Sequence, residues 1–148
     1  MANFIFNAAK GRLAYYATLP AASDALIVIP LEATGIEADA TMKDYDDVAA
    51  LLSGTSNEQA TMGRKTVSAS VTVTVDDTND WVDVDMPDQT WTGATGNPIA
   101  ALVIAYDPDT GAGTDSSLIP LVKLDCAMTP DGSDFTAQMA AAGFYRAS

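Results

Sequence analysis

The side chains in this chain that could do chemistry are few, and one common class is missing. The 148 residues contain no histidine. That excludes Ser-His-Asp and Cys-His triads, HExxH zinc sites and zinc-deaminase signatures together. No GxxxxGK[ST] or GxGxxG run occurs, so neither common nucleotide cradle is encoded. Cys126 is the single cysteine. It can form no intramolecular disulfide and no CxxC pair, which suits a chain made in a reducing compartment. As a nucleophile it would need neighbours that lower its pKa, and Lys123 and Asp125 make a poor setting for that. It reads instead as a small buried hydrophobe.

Carboxylates are abundant: twenty acids stand against seven bases, a net charge of −13. Asp83 and Asp85 lie two apart on one face of an expected strand, and a glycosidase needs only two such groups. That face is the solvent side of a half-buried strand, whereas an acid and base pair needs a concave, partly desolvated site to separate its pKa values. The loop Asp107-Pro-Asp-Thr-Gly-Ala-Gly-Thr-Asp115 gathers three hard oxygen donors, Asp107, Asp109 and Asp115. An EF-hand counted from Asp107 would need Gly and Glu where Ala112 and Leu118 stand. The loop reads as a polar hairpin connection using Asp and Gly for turn geometry. The expectation is of no enzyme: no catalytic residue, no metal and no cofactor.

Six residues stand out as partner-binding candidates. Phe4, Phe6, Lys10 and Arg12 combine aromatics with two of the few bases, which makes residues 1–12 either a partner-binding arm or an ordinary edge strand. Trp81 and Trp91 sit beside expected strands and can anchor an interface or a sugar, or cap the core. Residues 66–145 hold twelve acids and only Lys123 as a base. Such a surface repels phosphate backbones and keeps an abundant protein dispersed, so nucleic acid is not an expected partner. The apolar runs Ile99–Tyr106 and Ala25–Leu31 are too short to span a bilayer, and the opening residues lack the basic and apolar regions of a signal peptide.

These candidates must be held by a mainly β framework. Thr66 to Val75, TVSASVTVTV, puts Val67, Ala69, Val71, Val73 and Val75 on one face with Thr or Ser between them, the pattern of one half-buried antiparallel strand. An acidic turn at 76–80 follows, and Trp81 to Met86 alternates back. Ile99–Tyr106 is apolar on both faces and suits a central strand. Leu118–Leu124, Phe135–Met139 and Phe144–Ala147 complete the second half, with Pro130-Asp131-Gly132 as a turn. Asn3–Ala8, Leu13–Thr18 and Ala25–Leu31 read as strands in the first third. Pro30 and Pro120 should sit at an edge, an end or a bulge. One helix is expected over Lys43–Ser53, capped by Asp44 and ended by Gly54, with 54–63 as a loop. The sum is one domain over 1–148: an antiparallel β-sandwich or small β-barrel with one short α-helix.

Several blocks of the sequence resemble a family of small virion proteins from tailed phages of actinobacteria, of the minor capsid and decoration type. They are MANFIFNAAKGR (Met1 to Arg12), LSGTSNE (Leu52 to Glu58), VDDTND (Val75 to Asp80), DVDMPDQTW (Asp83 to Trp91), YDPDT (Tyr106 to Thr110) and AGFYRA (Ala142 to Ala147). They run from end to end. The resemblance implies a virion protein without catalysis; solubility, acidity and analogy with decoration proteins point to the outer head surface, with the major capsid protein as partner. By analogy with decoration proteins it implies a homo-oligomer, a trimer by preference. The alternative it leaves open is a tail or tail-tip component that binds a receptor or glycan.

Overall fold

A computed structural model describes residues 2–148, so Met1 of the expected arm lies outside the described residues. Along the chain come β1 (Phe4–Ile5), a 3-10 turn (Asn7–Ala9), α1 (Leu13–Ala17), β2 (Ala25–Glu32), α2 (Asp39–Met42) and α3 (Val48–Ser53). Then follow β3 (Lys65–Val67), β4 (Thr72–Asp76), β5 (Trp81–Asp85), β6 (Gln89–Trp91), β7 (Ile99–Asp107), β8 (Ile119–Met128), β9 (Phe135–Ala137) and β10 (Tyr145–Ala147). All pairings are antiparallel: a large sheet in the order β1-β8-β7-β2-β3, a second in the order β10-β5-β4, and the ribbon β6-β9. The arrangement is an open sandwich rather than a closed barrel, because β1 and β3 end the large sheet without meeting.

β7 lies at the centre of the large sheet, with Ile29 of β2 opposite Val103 and Lys123 of β8 opposite it on the other side. Both of its faces are covered. Leu102, Ile104 and Tyr106 join Leu26 and Val28 in a core completed by Val84, Met86, Trp91 and Ala137. Val103 and Ala105 turn the other way with Ala25, Ile27, Ile29 and Leu31, against Phe6, Met42, Val48 and Leu51. Three layers result: short helices, the large sheet, and the smaller sheets. A strand buried on both faces has to be apolar on both, which is why Ile99–Tyr106 does not alternate.

The prolines sit where their missing N–H does no harm. Pro30 lies on β2 past the end of its pairing with β3, and its carbonyl accepts the Gln59 N–H at 2.8 Å. Pro120 sits at a register shift against β7, with Leu121 as the extra residue, whose carbonyl accepts the Phe6 N–H at 3.0 Å.

The first half departs from expectation in four places. Leu13–Ala17 is helix, not strand, and its two buried residues, Leu13 and Ala17, are four apart as a helical face requires. Only Phe4–Ile5 of the expected strand Asn3–Ala8 is extended. The expected helix Lys43–Ser53 is shortened to α3, α2 lies ahead of it as a helix that was not expected, and Asp47 rather than Asp44 caps α3, its carboxylate accepting the Ala50 N–H at 2.7 Å. The stretch Thr66–Val75 is two strands in two different sheets, broken at Ser70 with φ 61°. Val67 enters the core, but Val75, expected on the inner face, is 63% exposed.

The last strand depends on a close approach. Gly143 has φ 76°, and a Cβ there would press into the carbonyl of Val84 on β5. Gly132 has a similar φ of 90° but open space around it. Gly143→Ala is therefore expected to lose more stability in urea denaturation than Gly132→Ala, and by more than about 1 kcal/mol overall. Equal losses would mean that only the backbone angle matters.

Candidate functional site

The most constrained polar group in the chain is Lys123. It is fully buried, on the strand face that turns toward the helices, directly opposite Phe4 of β1. Its ammonium donates to the Ala2 carbonyl at 2.9 Å, to Asp39 at 3.0 Å and to Asp125, and it lies 5.2 Å from the Phe4 ring. Asp39, in the first turn of α2, also accepts the Ala2 N–H at 2.7 Å. Burial works to raise the Asp39 pKa, but the hydrogen bonds from Lys123 and Ala2 outweigh it and hold the carboxyl below its ordinary value. One ammonium thus joins the N-terminal segment, β8 and α2. A buried cation of this kind holds only while all its acceptors stay in place.

Arg64 makes a second tie. Its guanidinium forks onto Glu58, at 2.9 and 2.6 Å, and onto Asp115 at 3.0 Å through Nη2. The hydrogen bonds that Arg64 donates to Glu58 and then to Asp115 raise the arginine pKa, and the Asp115 carboxyl is lowered by Arg64 in return. This accounts for one of the three acids in the loop 107–115. Asp107 accepts the Asp109 N–H at 3.0 Å, and Asp109 accepts the Gly111 N–H at 3.0 Å, so the other two shape the turn. Among the described residues no group of acids, cysteine or histidine is arranged to hold a metal ion.

The third tie closes the small sheet. Arg146 of β10 lies opposite Asp83 of β5 and forks onto it, with Nη2 at 2.7 Å, while its guanidinium carbon sits 3.8 Å from the Trp81 ring centre. That hydrogen-bonded pairing lowers the Asp83 carboxyl. Asp85 accepts the N–H of Met86 at 2.8 Å. The two carboxylates that share a strand face therefore have separate partners. Beside Trp81 lies an open cleft of about 390 Å³ lined by Val75, Asp76, Asp77, Asp80 and Trp81.

The six candidate residues fall in different places. Phe6 is wholly buried in the helix-side core and offers no contact surface; Phe4 is half-buried over Lys123. Residues 2–9 are therefore docked on the chain's own fold rather than free as an arm. Lys10 and Arg12 are exposed. Trp91 is 2% exposed, stacks on Phe135 at 5.6 Å and donates its indole N–H to the Gly63 carbonyl at 2.9 Å, so it caps the core. Trp81 is half-buried and borders the cleft. Burial raises the Cys126 thiol pKa, which leaves it a poor nucleophile. Sequence reasoning missed the three ties as pairings, although it singled out Lys123, Asp83 and Asp115 for other roles. One signal pointed to the first: Lys123 stands alone among bases inside an apolar strand.

Neutralising both carboxylates that pair with Lys123, Asp39→Asn with Asp125→Asn, leaves a buried charge without a counter-charge and is expected to cost about 3–5 kcal/mol in urea denaturation. Lys123→Met should cost less, because the side chains of Asp39 and Asp125 are 30% and 35% exposed and can rehydrate. The reverse order would mean that the ammonium is not dependent on them.

Asp39 and Asp115 have folded pKa values below 3.8. Their contribution to stability is therefore complete above about pH 5 and is lost as pH falls through 3.8 and the folded values. Arg64→Met should accordingly lose less stability than the unaltered chain between about pH 5 and pH 2, measured as the difference in denaturation midpoint. Parallel curves would contradict the tie.

No family model, curated protein or solved structure matches the chain.

Proposed function

We propose that this chain is a non-enzymatic structural protein of a tailed-phage virion. In this reading it is a capsid decoration protein that binds the major capsid protein and stabilises the head shell. The block-by-block sequence resemblance supports the virion setting. The observation that carries the reading is the placement of the ion pairs. Lys123, Arg64 and Arg146 each join segments far apart in sequence, so terminus, loop and last strand are clamped to one β body. A stiff body gives up little conformational freedom when it docks on a lattice, so more of its contact energy goes into holding the shell together. An acidic surface keeps many copies dispersed before assembly. Decoration proteins sit at lattice symmetry axes, and the trimer remains the oligomer favoured by that analogy.

A second reading is a tail component that binds a receptor or glycan, and the Trp81 cleft is the feature that favours it. One experiment separates the two. Purified protein is incubated with undecorated shells, which are then pelleted and challenged by heat. Saturable binding and a higher temperature of shell rupture support the head reading. A chain that ignores shells, binds cell-surface glycans and loses that binding with Trp81→Ala supports the tail reading.

A further inference from the structure

Two large hydrophobic side chains are exposed among the described residues: Tyr15 at 61% and Val75 at 63%. Their surroundings carry opposite charge. Tyr15 follows the exposed Lys10-Gly11-Arg12 corner, and Val75 leads into the hairpin that carries Asp76, Asp77 and Asp80.

The cations at that corner are unusual in this chain. Lys43 pairs with Asp44, Arg64 with Glu58 and Asp115, Lys123 with Asp39 and Asp125, and Arg146 with Asp83. Lys65 lies 5.5 Å from the Trp91 ring centre. Lys10 and Arg12 are the bases left with no acid or aromatic partner among the described residues. On the other side, Asp76 is held by Asn79, while Asp77 and Asp80 stand exposed beside the cleft. β4, which leads into that hairpin, is an edge strand with an alternating Thr-Val pattern and neither Lys nor Pro to block pairing.

We infer that the chain associates with itself, the Lys10–Arg12–Tyr15 corner of one copy seating on the acidic hairpin around Val75, Asp77 and Asp80 of another. Charge complementarity selects this occupant. Two bodies of net charge −13 repel, so copies can meet only where the unpaired cations face concentrated acid. The contact also covers both exposed hydrophobics, and the exposed Asp77 and Asp80 at the rim of the cleft suit a guanidinium or ammonium entering it. α1 packs against β4 and β5, so the basic corner and the acidic hairpin belong to neighbouring elements, yet they form no ion pair within one copy. This contact does not depend on the shell being the partner.

The test is sedimentation of the full chain with charge reversals. The unaltered chain should form a discrete oligomer that dissociates about tenfold more readily on going from low to high salt. Lys10→Glu with Arg12→Glu, or Asp77→Lys with Asp80→Lys, should each weaken association about a hundredfold. The two pairs combined should restore it to within about tenfold of the original. Asp46→Lys, exposed and outside both patches, should not weaken it. These side chains are exposed, and circular dichroism checks that each variant keeps its fold. A monomer at about 100 μM in low salt overturns the inference, since a contact weaker than this has no standing as a specific interface. So does an oligomer indifferent to both single-patch reversals, or a combined variant that stays dissociated.

Discussion

The structure depends on one constraint: β7 is apolar on both faces and must be covered on both. A single sheet would expose half of Ile99–Tyr106, so the chain has to supply material on each side. The smaller sheets and Trp91 close one face. Phe6 closes the other together with Met42, Val48 and Leu51, which come from helices too short to be stable alone. The N-terminal residues belong to this cover. Phe6 is as much a core residue as Ile104, which is why the opening segment is docked rather than free.

The charges follow from the same constraint. Where the N-terminal segment and α2 cover the edge of the large sheet, Lys123 is shut away from water, and the Ala2 carbonyl and the Asp39 carboxylate give its ammonium the acceptors it needs. Arg64 does the equivalent for the loop that connects β7 to β8, and Arg146 for the last strand. Cations are scarce in this chain, and their pairing within the fold leaves Lys10 and Arg12 as the bases with no acid or aromatic partner among the described residues.

The sequence made the second half of the fold legible and the first half much less so. Period-two alternation marks Trp81–Asp85, and unbroken apolarity marks β7, because both patterns repeat over enough residues to be read. α1 shows its helical period in only two residues, Leu13 and Ala17. The change of sheet at Ser70 leaves no mark in the Thr-Val pattern, since both halves alternate alike. Val75 continues that pattern past the end of the core. The candidate residues were legible as types but not as positions. Trp81 and Trp91 look alike in sequence, and only the ribbon β6-β9 decides that Trp91 goes inside. The ties join residues such as Lys123 and Asp39, 84 positions apart, which no local pattern can connect.

The most direct measurement of the whole account is a cryo-EM map of the virion at a resolution that traces strands. The account predicts this three-layer body on the outer surface of the head shell, with residues 4–5 paired to β8 and Lys123 enclosed. A map with the body at the tail, or with the N-terminal segment lifted off β8 to reach a neighbour, would contradict it.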